Sequence, residues 1–473
     1  MTMKQVSNAV TIALSVLSCL SACTLKDDLT KTEQHGITPA TRSFDSVKGT
    51  HYSASLITRD MIPVVLKNYL DLNMFKDLDN YSLEVICEDG KDLIFVVNFD
   101  DGGWVLISGV FLMDSPIIAF SFSGVFEPED IHSPETSFWL DATKQSITES
   151  IEKVYLENSG EADSNTTRGI DHSSFARSFG DSYFWVMIPL DTSITTTTHS
   201  TVSPLLSTKW GQEYPWNYKC TTIDDERCLT GCVAVAFAQE FYYLHNYLEE
   251  PTCLYHQIDT CYDWRLSYYS PMHNMTNRTS FSPRWADMPL INPGYQTTGT
   301  NYVGDLMTEI GQQVLMRYSY HISEAALNTS IFPNYGLSVS SSDFDPFMTI
   351  TQLNDSIPII IGSHRAPPDV GGHAWVIDGH YTTQTTQVTT YQWRRLPEEF
   401  LIFYWDYICY NDRDMQKFHP DVVENQIVYE YQYYYTYSFS MNWGWDGDYD
   451  GYYSMSTISY PYQPRMLYGF QTQ

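Results

Sequence analysis

The chain has 473 residues and a formal net charge of −31, because 57 acidic side chains outnumber 26 lysines and arginines. This acidity excludes nucleic acid as a partner, since phosphate binding needs a basic surface, and it opposes electrostatic docking on anionic lipid. Hydrophobic residues make up 43% of the chain and aromatic residues 15%, which is enough for packed cores. The length predicts two or three domains.

The N-terminus is typical of an export signal. Lys4 precedes an uncharged apolar stretch, 9–22, that is too short to span a bilayer. The stretch ends in Leu-Ser-Ala-Cys at 20–23, which resembles the lipobox of bacterial lipoproteins. The resemblance implies a signal peptide at 1–22 and a lipid on Cys23, which would be the only membrane contact. A plain secretory signal cut near Ala22 is the alternative.

A first compact unit is predicted after a polar tether at 23–50. It begins with a possible helix at 59–70 and ends with a helix at about 144–157. Between them, apolar runs suit four strands, at 83–87, 93–99, 104–108 and 117–122. Turn-forming residues separate the first three runs, which favours antiparallel hairpins.

A change of composition at 158–202 predicts a linker. Residues 158–174 are rich in Ser, Asp, Asn and Thr, and residues 193–201 include a run of four threonines. Such sequences bury too little surface to order strongly, and exposed polar linkers are where proteases cut. We therefore expect a domain boundary there.

The second unit, 203–473, is predicted to be α+β. Its helix candidates are 232–248 and 302–318, and its strand candidates are 357–361, 373–380, 429–443 and 451–454. A helix packed on an antiparallel sheet is the natural arrangement of these elements.

Two candidate catalytic residues open elements of this unit. Cys232 follows Gly231 at the start of the best helix, where the helix dipole can lower a thiol pKa. His373 starts a strand after two glycines and could act as its base. Taken singly, each residue is more typical of a structural role.

Two further sites could assist them. Asn442 and Trp443 follow an alternating strand, where an amide or carbonyl acceptor could orient an imidazole. Gln212 lies about twenty residues before Cys232 and could donate to an oxyanion together with the Cys232 N–H.

The remaining cysteines do not indicate a metal site. Cys220 with Cys228, and Cys253 with Cys261, are close enough in sequence to form disulfides, although the connectivity is open. The chain has no CxxC pair and no HExxH helix, so we expect neither a zinc site nor another cofactor.

Taken together, the four sites occur in the order of the papain clan, and the sequences around them resemble the streptopain family of cysteine proteases. The matching segments are 204–217, 230–239, 371–379, 442–447 and 450–453, and segment 93–126 resembles the inhibitory propeptide of that family. The resemblance implies a papain-like protease domain at 203–473, preceded by a smaller α+β propeptide domain at 51–157.

The same resemblance implies the roles of the residues. Cys232 is the nucleophile, His373 the base and Gln212 the oxyanion donor, while Asn442 and Trp443 support the histidine. The substrates are polypeptides, and the chain's own propeptide inhibits the enzyme until the linker is cut. We expect an exported lipoprotein at the bacterial outer membrane or cell surface, with later release left open.

Two other functions stay open on the sequence. The scaffold could be reused as a catalytically silent surface adhesin or protease inhibitor, or the same nucleophile could serve an acyl-transfer enzyme such as a transpeptidase or amidase. A long aromatic insertion between His380 and Tyr437 departs from the family pattern.

Overall fold

The computed structural model describes residues 56–472, except 72–74, 76–77, 112–114, 160–182, 248–282, 365–371, 398–408 and 455–461. The predicted signal peptide, the lipidation site Cys23 and the tether up to residue 50 therefore lie outside the described residues, as do Cys253 and Cys261. Every described residue belongs to one compact unit of the chain, 49–473.

The N-terminal part is a four-stranded antiparallel meander between two helices. Its elements are α1 (Ile62–Tyr69), β1 (Tyr81–Glu88), β2 (Lys91–Phe99), β3 (Trp104–Ser108), β4 (Ile117–Ser121) and α2 (Pro134–Ser159). Strand β2 is apolar on both faces because Phe95 and Val97 pack in the core with α1, while Ile94 and Val96 pack in the core with α2. The four predicted strands and both helices are confirmed, although α2 begins about ten residues earlier.

The C-terminal part contributes the rest of one large sheet. Its elements are β5 (Tyr183–Val202), β6 (Thr222–Ile223), β7 (Glu226–Arg227), α3 (Cys232–Tyr247), α4 (Thr298–Gln313), β8 (Leu337–Asp343), α5 (Pro346–Asn354), β9 (Ile359–His364), β10 (Gly372–Pro397), β11 (Cys409–Asn411), α6 (Asp412–Phe418), β12 (Ile427–Asn442), β13 (Gly451–Ser454) and β14 (Tyr462–Thr472). Helix α4 starts at Thr298 because Thr297 and Thr300 form a capping box there.

A single antiparallel sheet joins the two parts. Its strand order is β1-β2-β3-β4-β13-β12-β10-β9-β14-β8, with β5 paired to β10 and β11 paired to β5. The junction is the pairing of β4 with β13, where Tyr452 faces Phe120 and Tyr453 faces Ala119. The N-terminal meander is thus continuous with the strands that carry the predicted catalytic residues.

The two faces of the sheet are covered by different helices. Ala374 and Val376 of β10 pack in one core with α3 and α4, whereas Trp375 and Ile377 pack in a second core with α2. This alternation follows from the two-residue period of a strand. The predicted α+β fold, with a central helix packed on an antiparallel sheet, is confirmed.

The expectation that the threonine-rich part of the linker orders weakly is wrong. Residues 183–202 form β5, which pairs with β10 along its whole length. Strand β10 extends to Pro397, seventeen residues past its predicted end, and so supplies the partner. Threonine is β-branched and suits a strand once a partner exists. The domain limits at 157 and 203, and a cleavage between them, stay predictions.

Candidate active site

Cys232 lies at the first position of α3, with a free thiol and only 9% of its surface exposed. The preceding Gly231 has a φ of +88°, and a Cβ there would lie 2.6 Å from the Met316 sulfur. Only glycine therefore permits the turn that brings the chain into the helix. The N–H groups of the first helical turn have no partner within the helix and can face an anion at this end.

Gln212 is held beside the turn that leads into Cys232. Its backbone carbonyl accepts a hydrogen bond from the Thr230 N–H at 3.1 Å, two residues before Cys232. The side chain is 3% exposed. The neighbouring Gly211 packs so closely on the Asp446 carboxylate that a Cβ would lie 2.9 Å from its Oδ1. This position suits the predicted oxyanion donor, whose role stays a prediction.

His373 lies near the start of β10 and stacks on tryptophan. Its ring is nearly parallel to that of Trp375, at 5.9 Å between centroids and 11° between planes. Its Nε2 lies 3.1 Å from the carbonyl oxygen of Trp443. A carbonyl can only accept, so Nε2 carries the proton and Nδ1 is the basic nitrogen of the neutral ring. The next residue, Ala374, packs in the same core as Cys232.

Asn442 and Trp443 make different contacts in the structure. The Trp443 backbone carbonyl contacts the imidazole, while the Asn442 amide faces the opposite side of the strand. There Asn442 accepts from Gln239 of α3 at 2.9 Å and donates to the Thr208 carbonyl at 3.0 Å. Asn442 therefore connects α3, the helix that begins at Cys232, to the strand that leads to the histidine contact.

Asp450 is a further residue of this region whose position was not predicted. Its carboxylate accepts a hydrogen bond from the Trp443 N–H at 3.0 Å. Burial raises the pKa of Asp450 to about 7. The carbonyl of the same residue, Trp443, contacts His373. Asp450 therefore orients the backbone segment whose carbonyl orients the imidazole. The only sequence signal was the Asp-Gly pair in segment 450–453, which resembles the family.

Two more buried carboxyl groups lie on elements of the site, Asp378 on β10 and Glu240 on α3. Asp378 accepts from Ser440 Oγ at 2.7 Å and from the Leu206 N–H at 3.2 Å, and burial raises its pKa to about 7. Burial, and then the charge of Asp378, raise the pKa of Glu240 to about 8. Glu240 is the one acidic residue in the apolar helix α3, and that isolation is a signal the sequence did contain.

Within the described ranges, no group of three His, Cys, Asp or Glu side chains is placed to hold a metal ion. In the same ranges, no helix is long and apolar enough to cross a membrane.

A sequence model of the Peptidase C10 family matches residues 210–453, which is more than half of the chain. The chain belongs to the Peptidase C10 family. This is the streptopain family of cysteine proteases, so the predicted resemblance and the hydrolase class are confirmed. The matched range includes Gln212, Cys232, His373, Asn442 and Trp443.

Solved structures of other peptidases resemble the chain. A Prevotella intermedia prointerpain A fragment is 20% identical, with a TM-score of 0.48, over 82% of this chain and 99% of that one. The active wild-type interpain A of the same organism is 22% identical, with a TM-score of 0.37, over 57% of this chain and 97% of that one. No curated protein matches this member of the C10 family.

Proposed function

We propose that the chain is a cysteine endopeptidase that is made as a zymogen and exported with a lipid on Cys23. The contact between His373 Nε2 and the Trp443 carbonyl carries the proposal, because it fixes the tautomer in which Nδ1 is the base. A catalytic cysteine needs such a base, and Cys232, at the start of α3, packs in the same core as Ala374, the residue after His373.

The reaction follows from these positions. His373 takes the thiol proton, and the Cys232 thiolate attacks the peptide carbonyl. The resulting oxyanion accepts from the Cys232 N–H and the Gln212 amide. The C–N bond breaks as His373 protonates the leaving amine, which leaves a thioester on Cys232. Water, deprotonated by His373, then hydrolyses the thioester and restores the thiol.

Contacts of the N-terminal meander support a latent precursor. Tyr453 packs against Trp443 on one side, with ring centroids 5.2 Å apart, and against Trp139 of α2, at 4.7 Å. Tyr449 donates to the carbonyls of Glu127 and Asp130. The segment that supports His373 is thus packed against the N-terminal part, so removal of that part is expected to alter the site. A proenzyme is also the form named for the interpain A relative.

The experiment compares wild type, Cys232→Ala, His373→Ala and Cys87→Ala for cleavage of a fluorogenic peptide and for labelling by a thiol-directed probe. Cys87 is an exposed free cysteine far from the site in sequence and is the matched control. We expect Cys87→Ala to behave as wild type, and Cys232→Ala to lose both cleavage and labelling of the mature product. Peptide cleavage by Cys232→Ala at the wild-type rate refutes the proposal, and an inactive wild type supports a silent adhesin or inhibitor.

The lipid anchor is a separate part of the proposal, and it rests on the sequence 20–23. Growth of the expressing bacteria with a labelled fatty acid is expected to label wild type and not Cys23→Ser. The Ser21→Ala variant keeps the cysteine and is the control. An unlabelled wild type with a mature N-terminus at residue 23 would instead indicate a plain secretory signal.

A further inference from the structure

The insertion between His380 and Tyr437 pairs with β5 to form an arm of the sheet that the peptidase reaction does not use. The arm consists of β5, the distal half of β10 and residues 427–437 of β12. One of its faces carries Tyr429, Tyr431, Tyr433 and Tyr435, which are 52%, 53%, 55% and 40% exposed. Exposed large aromatic side chains in a continuous row are uncommon without a binding role.

The neighbours of these tyrosines on the same face are mostly Ser and Thr. Residues directly opposite each other in antiparallel strands share a face. The pairing places these residues beside the tyrosine row: Gln384, Thr386, Val388 and Thr390 of β10, and Asp191, Ser193, Thr195 and Thr197 of β5. Asp191 at one end is the only charged residue among these twelve, in a chain whose net charge is −31.

The reverse face of the arm is the one that packs. Thr196 and Thr385 are buried there, their hydroxyl oxygens lie 2.8 Å apart, and Thr196 also donates to the carbonyl of Asn68 in α1. On the tyrosine face, the ring of Tyr435 contacts that of His199, with centroids 5.1 Å apart. The core of the protein therefore does not account for the tyrosine row.

The geometry favours an extended polypeptide as the occupant. Alternate residues of a strand lie about 6.8 Å apart, so the row has the same spacing as alternate side chains of a bound extended chain. Tyrosines surrounded by Ser and Thr are the composition with which antibody surfaces bind protein, because they offer rigid contact area and adaptable hydroxyl groups. The near absence of charge excludes selection for acidic or phosphate-bearing partners.

The edge of the arm suits the same occupant. In the part of the chain that the structure describes, β12 pairs with β10 alone from 427 to 437, and β13 joins it only from Ser438 onward. An exposed edge of this kind accepts an extended peptide as an added strand. The arm is also continuous with catalytic strand β10, which carries His373 near its start.

We propose that the tyrosine row of the arm is an exosite that binds an extended, uncharged segment of a protein substrate and holds it for cleavage at Cys232. The exosite rests on the proposed peptidase function. It lies outside the cleft, so it contributes to the cleavage of long substrates and not to that of short peptides.

The test compares the mature wild-type enzyme with a variant in which Tyr429, Tyr431, Tyr433 and Tyr435 are all changed to Ser. The substrates are dephosphorylated β-casein and a fluorogenic tetrapeptide. We expect the KM for casein to rise about fivefold or more, since a few aromatic anchors carry most of such binding energy, with kcat unchanged. The kcat/KM for the tetrapeptide is expected to stay that of wild type, which also shows that the variant is folded.

A second variant, with the four tyrosines changed to Phe, keeps the aromatic rings and is expected to retain most of the casein affinity. An unchanged casein KM in the Ser variant overturns the exosite, as does binding of the arm to an insoluble neutral glucan in place of casein. If the wild type proves inactive on every substrate, the peptidase function fails. Casein binding by Cys232→Ala, with and without the four Ser changes, still decides whether the arm binds polypeptide.

Discussion

At the scale of single residues, a backbone carbonyl contacts His373, and the neighbouring amide bonds the helix that begins at Cys232. The Trp443 carbonyl meets His373, and Asn442 bonds Gln239 of α3. Motif spacing located both positions. Which of the two residues contacts the histidine depends on which atoms face each side of the chain at the end of β12, and residue identity does not encode that.

Replacement of Asn442 by Ala is expected to cost stability before it costs catalysis. It leaves the buried Gln239 amide without its acceptor, which costs about 1–3 kcal/mol, while the Trp443 carbonyl stays in place. Urea unfolding in the Cys232→Ala background measures the loss, and kcat is compared with that of His373→Ala, which we expect to fall about 1000-fold. An Asn442→Ala enzyme of normal stability and equally low kcat would show that the amide acts directly on the imidazole.

Gly231 offers a test of the turn that leads into Cys232. Gly231→Ala combines a positive φ with a contact of 2.6 Å to Met316, whereas Gly102→Ala has a positive φ of 91° and open space around the Cβ. Strain at φ alone costs about 1 kcal/mol or more. We expect Gly102→Ala to lose about that much free energy of unfolding and to stay active. We expect Gly231→Ala to lose more of this free energy and to lose peptidase activity as well. Equal losses in the two variants would mean that the close packing at Met316 is unimportant.

At the scale of elements, local sequence patterns predicted the limits of short strands but did not predict the extent of the strands in the arm. Strands β3 and β13 have their predicted limits, because apolar runs bounded by turn residues define them locally. Strand β5 was missed because its partner β10 is nearly 200 residues away in the sequence. Hydrogen bonding to a distant strand overrides the weak propensity of a polar threonine segment.

The pairing of β5 predicts where activation cleavage occurs. Residues 183–202 are hydrogen-bonded to β10, and a protease needs an accessible, unpaired chain. Within the predicted linker we therefore expect the cut before Tyr183, so that β5 remains in the mature enzyme. N-terminal sequencing and intact mass of the mature product measure the position. A mature N-terminus at or after residue 203 would show that β5 leaves with the propeptide.

At the scale of the whole molecule, three buried carboxyl groups make stability depend on pH. Burial raises the pKa of Asp378 and Asp450 to about 7 and that of Glu240 to about 8. Between pH 4 and 8 the folded state binds protons that the unfolded state releases. The free energy of unfolding is therefore greatest on the acid side of this range and falls as the pH rises through 7 and 8. Apart from the isolated Glu240 in the apolar helix α3, no sequence pattern indicated this, because burial of a carboxyl group depends on the assembled core.

The melting temperature of Cys232→Ala, a background that prevents self-digestion, is expected to fall by several degrees between pH 5 and pH 8. Glu240→Gln removes one of the three protons involved, so it is expected to flatten this dependence, while the exposed Glu84→Gln leaves it unchanged. A melting temperature that rises with pH in this range would contradict the protonated state of the buried carboxyl groups.

The central claim is that Cys232 of this C10 peptidase turns its own precursor into the mature enzyme. The most direct test is a time course of purified residues 24–473, wild type beside Cys232→Ala, followed by intact mass. The account predicts that only the wild type sheds the N-terminal unit, with a cut between 158 and 183, and that the released enzyme then reacts with a thiol-directed probe. Conversion of both proteins at the same rate, or an intact wild type that stays unlabelled after trimming by an added protease, would contradict it.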